Sequence, residues 1–144
     1  MPVFFQDRDS TRGFFIDVWG KYRDGKPLQP VEQIIATVIL DHPEYHVLLE
    51  DRTTAMRHDA VPGAGVENPF LHMGMHIAIR EQVQADRPAG IAGIYRSRIE
   101  KGHLDPHNLE HDMMECLGQS LWIAQRANSM PDETEYLECI KRIG

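Results

Sequence analysis

Cysteine is scarce in this chain: Cys116 and Cys139 are the only two in 144 residues. They form no C-x-x-C and no zinc-ribbon spacing, and two thiols do not make the disulfide framework of a small secreted scaffold. Each falls in a helix-like segment, so both are expected to be small buried residues, in keeping with a reducing compartment. Long apolar runs are lacking too. The longest, "IIATVIL" at Ile34–Leu40, is far short of the roughly 20 residues that span a bilayer. The opening "MPVFFQDRDS" has no basic stretch followed by a long apolar one, so no signal peptide is expected and a cytoplasmic location follows by default.

Positive charge is in deficit. Lys and Arg number 15 against 22 Asp and Glu, for a net charge of −7. The basic residues are scattered and form no stripe, which argues against nucleic acid or an anionic membrane as partner. "GAG" at 63–65 lacks the spacing and the lysine of a phosphate loop, so no nucleotide cofactor is expected. No G-x-S-x-G is present, and a serine hydrolase elbow is unsupported. Cys116 follows His111 by five residues, which points the two to different helix faces and argues against a Cys–His nucleophile.

Strong strand patterns and internal repeats are also missing, while helix signals recur throughout. "RGFFIDVWGKYRDG" sets Phe14, Phe15, Val18, Trp19 and Tyr22 on one side of a helix that Gly25 can stop. Pro30 opens the next, "PVEQIIATVILD". His42 precedes Pro43 and marks a break, after which "PEYHVLLED" can form a short helix. Residues 52–67 read as a long loop, punctuated by Pro62, Gly63 and Gly65. Asn68 and Pro69 then provide an N-cap and a first helical residue for a helix to about Asp86. Pro88 opens another, with Ile91, Ile94, Tyr95 and Ile99 as its stripe and Gly102 past its end. Asp105 and Pro106 repeat the cap-then-proline start for the longest helix, to about Asn128, and Pro131 begins the last. The expectation is an all-α, single-domain helical bundle of about six or seven helices over residues 1–144.

Within this pattern the eight histidines are oddly spaced. They stand at 42, 46, 58, 72, 76, 103, 107 and 111, with four pairs separated by four. Random placement gives about 0.4 such pairs when matched to a helical template. Separation by four puts two imidazoles on one helix face, a turn apart, within reach of one metal ion. The helix from Pro69 is apolar in almost every direction, which is the pattern of a buried helix. His72 and His76 are then buried with it, and each needs a partner, because an unpartnered buried polar group costs roughly 1–3 kcal/mol. On the helix from Pro106, His107, His111 and Glu115 form one stripe beside the apolar face of Met113, Met114, Leu117, Leu121 and Ala124.

His72, His76, His107, His111 and Glu115 are therefore the candidate metal ligands, suited to zinc, iron, nickel or manganese. A bland alternative stands beside this one: core histidines hydrogen-bonded to neighbours in a non-catalytic module that binds a protein partner or itself. H-E-x-x-H is absent, since Met-Gly-Met separates His72 from His76, so no general base is supplied. The reaction, and whether there is one, stays open. His46, with Glu50 a turn on, is an outside candidate. His58 and His103 are expected in loops, and "REQ" at Arg80–Gln82 as the solvated end of its helix, with internal pairing of Arg80 or Glu81 as the alternative.

Four stretches together, "HPEYH", "NPFLHMGMHIAIREQ", "HNLEHDMMECLGQSLWIAQR" and "PDETEYLECI", resemble an uncharacterised family of small bacterial helical proteins, domain of unknown function 1841. The resemblance spans nearly the whole chain. It implies a compact helical protein and hands over no catalytic residues. The matching positions are His42, His46, His72, His76, Arg80, Glu81, Gln82, His107, His111 and Glu115. A looser analogy is to hemerythrin-like di-iron bundles, with His72/His76 as H-x-x-x-H and His111/Glu115 as H-x-x-x-E. Their order along the chain is the reverse of that family's, and the remaining ligands have no counterpart.

Overall fold

A computed structural model describes residues 8–57, 69–102 and 105–143, with backbone only for residues 8 and 9. The described residues form eight α-helices and no strand: α1 Arg8–Arg23, α2 Pro30–Leu40, α3 His46–Leu49, α4 Arg52–Arg57, α5 Pro69–Ala85, α6 Ile91–Glu100, α7 Pro106–Ala127 and α8 Glu133–Lys141. A 3-10 turn, Pro43–Tyr45, links α2 to α3. The chain divides into two compact units, Met1–Ile77 and Ala78–Gly144, and the division falls inside α5.

In the first unit α1 packs against α2, α3 and α4. Its core is built from Phe15, Val18, Trp19, Ile35, Val38, Ile39 and Leu49, all buried. The β-branched run of α2 is helical because its start is fixed from outside the run. Pro30 occupies the first helical position, and the Glu32 carboxylate accepts the Gln29 backbone N–H at 2.8 Å. The same carboxylate accepts Lys21 Nζ at 2.8 Å, which joins α2 to α1. That bond and the one from Gln29 hold the Glu32 carboxyl below its ordinary pKa.

Arg12 is the polar centre of this unit. It is 2% exposed, donates from Nη1 to the Ala55 carbonyl at 2.9 Å, and lies 4.7 Å over the Phe70 ring. One guanidinium thus joins α1 to α4 and to the start of α5. Part of the expected 52–67 loop is α4, because Asp51 caps it: its carboxylate accepts Thr54 N at 3.2 Å and Thr54 Oγ1 at 2.9 Å. The rest of that loop, with His58, Gly63 and the Asn68 cap, lies outside the described residues, as does His103.

In the second unit α8 packs on α7 and on α6. Buried Leu109, Met113, Leu117, Tyr136 and Ile140 supply its core. Two caps stand where prolines were expected to open helices. Asp86 accepts the backbone N–H of Gly90 and of Ala92, each at 3.0 Å, and α6 begins at Ile91 rather than Pro88. Asp132 accepts Glu135 N at 3.2 Å, so α8 begins at Glu133 rather than Pro131. The start and end of α7 fall where the sequence puts them. Asp105 accepts Asn108 N at 3.0 Å, and Asn128 closes the helix in the left-handed conformation with φ +51°.

The two cysteines are a correction. Cys116 and Cys139 form a disulfide between α7 and α8, with Cα atoms 5.8 Å apart. They are not separate buried thiols, and the support they lent to a reducing compartment is withdrawn. No described helix is long and apolar enough to cross a membrane.

Replacing Arg12 with Leu should cost about 2–4 kcal/mol, the sum of an orphaned buried carbonyl and a lost cation–π contact. Urea unfolding would register this as a lower midpoint at unchanged slope. Lys at this position should recover less than half, since it lacks the planar fork.

Candidate functional site

Three histidines meet in the first unit. His42 follows α2, and His72 and His76 lie one turn apart on α5. Ring centroids are 5.0 Å apart for His42–His72, 4.8 Å for His42–His76 and 4.8 Å for His72–His76. His76 is fully buried at 0% exposure, His42 is buried, and His72 is half-buried. Tyr45 stacks on His42 with ring centroids 5.4 Å apart, and covers one side of the group.

The ring nitrogens are arranged by the backbone. His42 Nδ1 lies 2.7 Å from the Val38 carbonyl oxygen. A carbonyl only accepts, so Nδ1 carries the proton. The neutral ring then keeps its Nε2 lone pair. This is how metal-binding imidazoles are commonly held, with the other nitrogen donating to a carbonyl. Pro43 is the local reason. It breaks α2 at His42 and lets the ring fold back on the turn that precedes it. His46 is held similarly, by Nε2 donating to the Ile39 carbonyl at 2.8 Å, with its ring 4.4 Å from Trp19.

His72 Nε2 and His76 Nε2 face one another at 3.2 Å. The distance suits one N–H···N hydrogen bond. It equally suits two nitrogens on one tetrahedral ion, which stand roughly 3.3 Å apart when metal–nitrogen bonds are about 2.0–2.1 Å. His42 and His76 also bring one candidate ligand nitrogen each to within 4.8 Å of the other.

The second unit holds the other histidine pair. His107 and His111 lie one turn apart on α7, both half-buried, with ring centroids 4.3 Å apart. Glu115, a turn further on, is exposed. The buried carboxylate of α7 is Glu110, 4% exposed, which sequence spacing did not single out. It accepts Arg80 Nε at 3.0 and 3.2 Å. Arg80 is thus internally paired, not the solvated end of its helix. Tyr95 has its hydroxyl pKa raised, first by burial and then by the Glu110 charge. Gln82 accepts the Tyr136 hydroxyl at 2.5 Å and ties α5 to α8. Glu81, half-buried, has its carboxyl pKa pushed up by burial.

A family model described as a domain of unknown function, DUF1841, matches residues 7–142. No curated protein and no solved structure matches the chain.

Glu81 gives a prediction with a definite sign. A carboxyl whose pKa is raised by folding binds its proton more tightly in the folded state, so its charge opposes folding above the folded pKa. That penalty is complete above the folded pKa and is relieved as pH falls through it towards the unfolded value. Glu81→Gln should therefore raise the melting temperature at pH 8. The gain should shrink towards zero near pH 4, as thermal scans of both proteins at the two pH values would record.

Proposed function

The chain belongs to that family, and we propose that it binds a divalent transition metal ion through its histidines. The observation that carries this reading is the group of His42, His72 and His76. Two Nε2 atoms stand at the separation of neighbouring ligands, and the third ring has its Nδ1 proton occupied by the Val38 carbonyl. Of the zinc, iron, nickel and manganese expected from the sequence, imidazole donors suit the first three best. Burial of His42 and His76 adds to the reading, because a desolvated pair of neutral rings is a stronger ligand set than a hydrated one.

His107 and His111 join the proposed ligand set on the sequence ground of their one-turn spacing. Glu115 is left out of the set because it is exposed. Without it the hemerythrin-like H-x-x-x-E loses its carboxylate, so a mononuclear site is proposed in preference to a di-iron one.

A second reading rests on the same 3.2 Å distance. His72 and His76 then share a proton in a structural network, and the chain is a non-catalytic module. Metal content separates the two. Untagged protein purified without chelator, then loaded and desalted, should hold about one equivalent of metal and lose many degrees of melting temperature on chelation. His76→Ala should hold less than about a tenth of an equivalent, and a His107→Ala/His111→Ala double variant should bind at least about tenfold more weakly. Wild-type protein that never exceeds a tenth of an equivalent, and whose melting temperature ignores the chelator, would leave the network as the better account.

A further inference from the structure

The disulfide lies in a wall of a groove. Between α7 and α8 is a cavity of about 360 Å³ lined by both Cys116 and Cys139, together with Ser120, Tyr136 and Arg142 among others. That volume lies in the range of small-ligand sites, roughly 300–1,000 Å³. Both cysteines therefore border a space that a small molecule can enter. The two sulfurs are also unequal. Cys116 is 5% exposed within α7, while Cys139 is half-buried on α8.

We infer that this groove is a thiol–disulfide exchange site for a small thiol, with Cys139 as the sulfur attacked. The inference is independent of metal binding, since neither cysteine is in the proposed ligand set. A thiolate entering the groove bonds to Cys139 Sγ, and the Cys116–Cys139 bond breaks. Its electron pair passes to Cys116 Sγ, which leaves as a thiolate and takes a proton from water. A second thiol, as its thiolate, then attacks the outer sulfur of the mixed disulfide and expels Cys139 as a thiolate, which is protonated in turn. Two thiols have then been oxidised to one small disulfide, and the protein disulfide has been reduced to two thiols.

Accessibility selects the sulfur, because exchange needs the nucleophile to approach along the S–S axis. Cys116, 5% exposed, is the less accessible of the two sulfurs. Its departure as a buried thiolate is the difficult part of the step, and Arg142 in the same groove supplies positive charge to offset it. Tyr136 is no proton donor here. Its hydroxyl donates to Gln82, and burial pushes its pKa up.

The test uses the whole oxidised chain, folded, with reduced glutathione at pH 8 and no denaturant. Acid quenching, alkylation and peptide mass spectrometry locate the adduct. Mixed disulfide on Cys139 should exceed that on Cys116 by about tenfold or more. Arg142→Gln, outside the proposed ligand set, should slow adduct formation at least about threefold with the melting temperature of the oxidised protein unchanged. Adduct chiefly on Cys116, or none until denaturant is added, overturns the inference. So does a disulfide that yields to a protein dithiol of the thioredoxin type and never to glutathione.

Discussion

A polar group removed from water must find a partner inside the protein, and that requirement organises much of this structure. α5 is mostly apolar, yet it carries His72, His76 and Arg80 in three consecutive turns. In water each would be satisfied at no cost. Once buried, each requires a specific neighbour: His72 and His76 face one another, with His42 beside them, and Arg80 takes the Glu110 carboxylate. The hydrophobic residues around them drive burial but are indifferent to orientation. The polar ones fix it, because their bonds are directional. Arg12 does the same in the first unit, where one buried guanidinium meets a carbonyl of α4 and a ring at the start of α5.

Helix caps explain how much of the fold was legible. Asp105 with Pro106, and Pro30 with Glu32, are complete local signals, and both helices begin there. Pro88 and Pro131 were misleading. Proline is tolerated at a helix start but does not enforce one, whereas a carboxylate that can accept two or three backbone N–H groups does. Asp86 and Asp132 therefore set the boundaries, two or three residues later than the prolines suggest. Asp51 starts α4 in a stretch that looked like loop. There the turn residues lie in the later part, and the short helix is favoured by its cap and by Arg12, which no local window contains.

The histidine group was partly legible for the same kind of reason. Spacing by four is a statement about one helix face, so it recovers His72 with His76 and His107 with His111. It cannot say which carboxylate is buried. Glu115 continues the stripe of His107 and His111, but Glu110 is the buried one, because an arginine 30 residues earlier meets it. Spacing pairs His42 only with His46, across Pro43, whereas its ring lies beside His72 and His76. His42 sits where Pro43 ends the helix, and its ring bonds to a carbonyl one turn back. A histidine before proline at a helix end is a signal that could have been read. The disulfide had one as well: Cys116 precedes Asn128 by twelve residues and Cys139 follows it by eleven. In a helical hairpin turning at Asn128, residues so nearly equidistant from the turn become neighbours.

That covalent closure changes what a cut in the chain would mean. The segment between α7 and α8 carries Met130 at 86% exposure, the kind of strand a protease engages first. Cleavage there interrupts the peptide chain inside the 23-residue loop that the disulfide closes. The two pieces stay joined through sulfur, and α8 keeps its place through Tyr136, Ile140 and the bond to Gln82. The molecule would travel as one band without reductant and as two with it. A nick at this point becomes a change of connectivity, and α8 is retained as a tethered part of the second unit.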